Sequence, residues 1–217
     1  MHAQPEWRIE KKFNPIFWIF VFVIVFAVVY QMTTPICTWP GTLSIMAVNI
    51  CVTLLIWLKQ LTIEELASSY TNIYIRKQFY RGLSAAFTHV SPMHILMNLV
   101  SLFNIGSVLE PSLSSKRFLI LYFSVLIIGG FISAFIHKVY LPNTPCIGAS
   151  GALCGLLGIY IAIVITIYGD KQLESLYTTI GILCLQVFSK QIDSIAHFSG
   201  LITGIVLGIV YLKLLGY

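Results

Sequence analysis

The sequence predicts an all-α polytopic membrane protein, and three observations carry the prediction. Hydrophobic residues make up 58% of the 217-residue chain and charged residues only 10%, against a usual charged share of about 25% in soluble domains. The charge-free stretches have the length a bilayer demands, about 20 residues for a helix. Nowhere does an alternating pattern recur that could close a β-barrel. A soluble domain of this composition would leave too much apolar surface facing water, which disfavours an ordinary cytosolic enzyme, a disordered region and a nucleic-acid module alike. The net charge of +5 comes from scattered basic residues that form no patch, an excess that anionic lipid headgroups would attract.

Charge-free intervals run from Phe13 to Leu58, Gly82 to Leu109, Phe118 to His137, Val139 to Gly169, Ser175 to Ser189 and Ser194 to Leu212. The first is too long for one span, and turn residues from Thr33-Thr34-Pro35 to Trp39-Pro40-Gly41 divide it into helices at 13–32 and 43–58. Ser91-Pro92 starts the next just before Met93, giving 92–109, because proline suits a first helical turn. The interval at 118–137 is a helix as it stands, and Asn143-Thr144-Pro145 marks a loop before one at 150–168. Helices at 173–189 and 194–214 bring the tally to seven. The helix at 13–32 follows Arg8, Lys11 and Lys12 as a signal peptide would, yet its length and the lack of an Ala-x-Ala site favour a retained anchor. Lys59 to Arg81 is the long polar segment. Within it Thr62-Ile63-Glu64-Glu65 reads as a capping box, so a short helix begins there and lies at the interface.

The five cysteines, an odd number with no Cys-x-x-Cys pair, read as small buried hydrophobes. Cys37 and Cys146 fall in loops on opposite faces, which argues against a disulfide. No metal site is expected. His89 and His94, taken as positions on one helix, would diverge by roughly 140°, and no carboxylate shares their turn.

Polar groups at membrane depth are few, which makes each a functional candidate. Gly148-Ala149-Ser150-Gly151 opens the fifth helix. A serine between glycines can be approached closely, and free amides at a helix N-terminus can stabilise an anion; Gly151-x-x-x-Gly155 reads equally well as a packing site. His197 is followed by Gly200, Gly204 and Gly208, a smooth face suited to pack against that of the fifth helix and so bring a histidine beside a serine. Taken alone, a membrane histidine is more often a hydrogen-bonded packing residue than a functional one. His94 and Asn98 share one face of the third helix, either as a network between helices or as donors to an oxyanion. Helix counting connects these candidates. If every span crosses, the third, fifth and seventh run in one direction, and His94, Asn98, Ser150 and His197 all lie within the first two turns on one side. A nucleophile, a base and paired donors at one level form a serine hydrolase constellation.

At this point the chain resembles the rhomboid family of intramembrane serine proteases. The matching motifs are His94-x-x-x-Asn98, Gly148-x-Ser150-Gly151 and Ala196-His197-x-x-Gly200-x-x-x-Gly204, supported by Tyr80-Arg81, His89 and Gly106-x-x-x-Glu110. The resemblance implies a six-helix rhomboid-like core with one extra N-terminal transmembrane helix. Residues 1–40 would hold the tail and that helix, residues 41–217 the catalytic core, and Lys59 to Val90 the long first loop. It implies Ser150 as nucleophile and His197 as general base, a dyad without a catalytic carboxylate, with His94, Asn98 and the Ser150 amide holding the oxyanion. Asp193, one turn before His197, is expected to cap the last helix rather than complete a triad. Cys154 stands where many relatives carry an aromatic against the catalytic histidine, a departure from the pattern.

The implied activity is that of an intramembrane serine endopeptidase cleaving transmembrane segments of single-span proteins. Substrates would reach it sideways past the helix at 173–189 and the loop Lys190 to Asp193. The implied partners are transmembrane-helix substrates and the lipid bilayer, with no nucleic acid; no metal or organic cofactor is implied. A multi-pass position in a bacterial cell membrane is expected. The alternative is a non-catalytic rhomboid-like protein that binds transmembrane helices, although such relatives usually lack the serine or the histidine. A transporter would show inverted repeats, which are not visible. Nine basic residues fall on the face of the first loop against four on the other, so the positive-inside rule turns the site toward the cytoplasm, whereas the resemblance to bacterial members implies the outer face.

Overall fold

A computed structural model describes residues 13–139, 141–168 and 193–217. Among them, six helices are long and apolar enough to cross a membrane. These are α1 (Pro15–Thr33), α2 (Pro40–Trp57), α5 (Pro92–Leu113), α6 (Ser115–Ile136), α7 (Ser150–Ile163, continued as a π-helical turn through Tyr168) and α8 (Ser194–Leu214). Two short helices, α3 (Ile63–Leu66) and α4 (Arg81–Ser84), lie in the polar connection between α2 and α5. No strand occurs among the described residues, and the architecture is all-α and polytopic. The helix expected at 173–189 lies outside them.

Helix starts follow local chemistry. Asn14 accepts hydrogen bonds from the Ile16 and Phe17 amides ahead of Pro15, and Ser91 accepts one from the His94 amide ahead of Pro92. The capping box at Thr62 and Glu65 is present, although the helix it opens is only four residues long. One boundary departs from expectation: α5 continues past Leu109 to Leu113, and α6 already begins at Ser115. Glu110 is charged, but it is fully buried and so does not end the span. Its carboxylate accepts hydrogen bonds from the Gly41 and Thr42 amides and from the Thr42 hydroxyl, each at 2.8 Å. The acid therefore caps the start of α2 from the far end of α5, where the helix dipole favours a negative charge. Glu110→Ala should cost about 3 kcal/mol of stability, since it strands buried donors. A thermal melt in detergent unchanged from wild type would refute this account.

The first loop grips the loop that leads into α7. Ser68 and Cys146 exchange backbone hydrogen bonds at 3.1 and 2.8 Å, and the Thr71 amide donates to the Pro142 carbonyl. Arg81, buried despite its charge, braces the first loop from inside by donating to the Glu64 and Ala67 carbonyls and to Gln78 Oε1. Buried charge is tolerated when hydrogen bonds replace its lost hydration in this way. Helix α1 packs on the rest through Trp18, Phe22 and Phe26, yet buries none of its residues, as suits a peripheral addition.

Candidate active site

Ser150 is the first residue of α7, and His197 lies in the first turn of α8. Their side chains meet, with Nε2 of the imidazole 2.7 Å from the serine Oγ. The two helices come this close because glycine faces glycine. A methyl group at Gly200 would strike the Gly151 carbonyl, one at Gly204 the Gly155 carbonyl, and one at Gly208 the Ala162 side chain beside the Ile159 backbone. These matched contacts run in the same order along both helices, so α7 and α8 are parallel. Ser150 and His197 open into a cavity of about 420 Å³, also lined by His94, Met97, Gly148 and Asp193.

Gly148 is the residue in this loop that nothing else can replace. Its φ is +97°, in the region that favours glycine, and a Cβ there would lie 2.7 Å from Nε2 of His94. Its amide donates to the Ala85 carbonyl at 2.9 Å, which moors the approach to Ser150 on the first loop. We expect Gly148→Ala to lower turnover by about 100-fold, the scale of a 1 Å misplacement at a reacting centre. Near-normal activity would show that the loop relaxes without moving Ser150.

A family model for the rhomboid domain matches residues 76–214, which include this constellation. The chain belongs to the rhomboid family. It is 30% identical over 159 residues to RHOMBOID-like protein 1 of Arabidopsis thaliana, a match covering 70% of this chain and 40% of the relative. Rhomboid-like protease 3 of Toxoplasma gondii is 28% identical over 159 residues, covering 70% and 59%. YdcA of Bacillus subtilis (strain 168) is 29% identical over 134 residues, covering 60% and 66%. The chain thus spans about half the length of the first relatives it matches. As a rhomboid with six apolar helices among its described residues, it is an integral multi-pass membrane protein.

Within the rhomboid site the other two candidates occupy different places. His94 borders the cavity, whereas Asn98 is buried one turn further along α5, where its Nδ2 donates to the His94 carbonyl at 2.8 Å. Its Oδ1 is buried with no hydrogen-bond partner. His89 precedes α5, so the helical angle does not apply, and the two rings meet edge to face with centroids 4.9 Å apart.

Fully buried His89 contacts the Thr53 hydroxyl through Nδ1 at 3.3 Å. Burial lowers its pKa from 6.5 to about 3; a charge on nearby His94 adds to this, and a backbone hydrogen bond at Phe87 opposes it. Between those values the unfolded chain binds a proton that the folded chain refuses. Stability from this group is therefore complete above about pH 6.5 and falls by up to about 1.4 kcal/mol per unit as pH drops below it. The melting temperature should fall on acidification from pH 7 to 5, and fall less in His89→Gln. Equal slopes would assign the acid sensitivity elsewhere.

Asp193 caps α8, accepting the Ala196 amide at 3.0 Å through Oδ1. That oxygen also lies 3.3 Å from Nε2 of His137, a residue that in sequence marks only the end of an apolar run. With Cys146, these side chains offer ligand atoms that all lie within 4.8 Å of one another, the arrangement among the described residues best able to hold a metal. The signal available in the sequence was a histidine ending one apolar run and a cysteine within the following loop. Cys154, one turn along α7 from Ser150, is buried.

Proposed function

We propose that the chain is an intramembrane serine endopeptidase, with Ser150 as nucleophile and His197 as general base, that cleaves transmembrane segments of single-span membrane proteins. The hydrogen bond of 2.7 Å between Ser150 Oγ and His197 Nε2 carries this reading. Nε2 takes the hydroxyl proton as Oγ bonds to the substrate carbonyl carbon, and the carbonyl electron pair moves onto its oxygen. The Ser150 amide, His94 and Asn98 are assigned to that oxyanion, and the first-turn amides of α7, which have no partner within the helix, favour negative charge there. The imidazolium then returns the proton to the departing amine, leaving an acyl-enzyme that water hydrolyses with His197 again as base. A helical peptide bond is shielded by its own hydrogen bonds, so segments with small residues at the cut and helix-breaking residues beyond it are the substrates of choice.

We also assign residues 1–40 to the additional helix with its tail and residues 41–217 to the catalytic core, a division supported by the peripheral packing of α1. The expectation of a bacterial cell membrane rests on the resemblance alone, since relatives of similar identity come from a plant and a parasite as well as a bacterium. The test is incubation of the purified full chain with a fluorescent fluorophosphonate. Covalent labelling that maps to Ser150 and disappears in His197→Ala is the expected result. A protein that binds transmembrane helices without labelling would be the non-catalytic alternative.

A further inference from the structure

Two positions of one connection, His137 just after α6 and Cys146 in the following loop, meet the distant Asp193 at the cap of α8 beside the cavity. His137 and Cys146 are buried, with 3% and 8% of their surface exposed. Nδ1 of His137 lies 2.8 Å from the Ser133 carbonyl oxygen. A carbonyl only accepts, so Nδ1 carries the hydrogen and, in the neutral ring, Nε2 presents its lone pair toward Asp193. Ring orientation by a backbone carbonyl is the arrangement that metal-ligating histidines show. The 3.3 Å between Nε2 and Asp193 Oδ1 matches the separation of about 3.3 Å between two ligands each roughly 2.05 Å from a tetrahedral ion. Asp193 Oδ2 is buried with no hydrogen-bond partner, which leaves an anionic oxygen free for a cation. Cys146 Sγ lies 4.0 Å from Nδ1 and 3.8 Å from the Thr144 carbonyl, and within 4.8 Å of the other two ligand atoms. The nearby ammonium of Lys138 turns instead toward the Tyr70 ring, so no cation competes from that side chain.

We propose that His137, Cys146 and Asp193 form a site for a divalent cation of zinc-like softness. One nitrogen, one sulfur and one carboxylate oxygen select such an ion over magnesium or calcium, which prefer all-oxygen shells. Along the sequence only His89 and His94 stand close enough to suggest a metal pair, so no metal is expected there. The bound ion ties the loop carrying Gly148 and Ser150 to the cap of the helix carrying His197, and so fixes both sides of the cavity.

The test is metal binding by the purified full chain in detergent, stripped and then titrated with zinc or with cobalt(II) as a coloured probe. One zinc per chain after gel filtration and a thiolate-to-cobalt charge-transfer band are expected. Cys146→Ser should abolish the band, and Asp193→Asn, which retains a good capping residue, should weaken zinc binding at least about tenfold, the smaller effect seen even for supporting residues of metal sites. Ser150→Ala should bind zinc as wild type does, so the metal site stands or falls separately from the proposed catalysis. Substoichiometric zinc in the wild type, no charge-transfer band, or unchanged affinity in a folded Asp193→Asn would overturn the proposal.

Discussion

Ser150→Ala and His197→Ala are each expected to abolish cleavage of a single-span substrate while leaving the melting temperature in detergent close to that of wild type. Without the hydroxyl no acyl-enzyme can form, and without the imidazole the hydroxyl proton has no acceptor at 2.7 Å. Residues that act as one unit fail together, so the double variant should be no worse than either single one. Neither side chain supports the fold strongly, because both face the cavity and are only half-buried. Wild-type turnover in Ser150→Ala would eliminate the dyad. A collapse of stability in either variant would instead move the pair into a structural role.

Gly204→Leu is expected to be as damaging as loss of the histidine, although Gly204 has no chemistry of its own. The first carbon of any side chain there would run into the Gly155 carbonyl on α7. Backbone does not yield as a flexible side chain can, so α7 and α8 must separate, and Ser150 and His197 separate with them. A displacement of about 1 Å can cost roughly 100-fold in rate, and a leucine forces more than that. The sequence suggests Ile205→Leu as a neutral control, but the Ile205 backbone lies against Gly158 and its side chain is half-buried. Val206 is the better choice, with 53% of its surface exposed. Val206→Leu should retain near-normal activity. Equal activity in the Gly204 and Val206 variants would remove close helix packing as the device that unites the pair.

All six described spans begin within three residues of where charge, proline and turn residues place them, and those at Pro92, Ser150 and Ser194 begin at the expected residue. Such signals are local: a cap or a proline acts on the amides nearest to it in sequence. The errors arose where a charge was neutralised from afar. Glu110 ended a charge-free interval on paper, yet in the fold it caps α2 from 68 residues away in sequence. His89 and His94 meet ring to ring across the start of α5, a contact that their spacing along the chain does not describe.

By itself the sequence determined the class of the protein, its helix starts and the residue types able to do chemistry, because apolar run length and capping are read within a few turns of chain. The glycine spacing in α7 and α8 also announced that two helices could approach closely. The tertiary structure alone decided which side chains meet. Ser150 and His197 are 47 positions apart, His137 and Asp193 farther still, and their distances depend on how each helix is rotated about its axis and how deeply it is seated against its neighbours. Those are properties of packed surfaces, fixed by contacts such as Gly204 on the Gly155 carbonyl, and no window along the chain contains them.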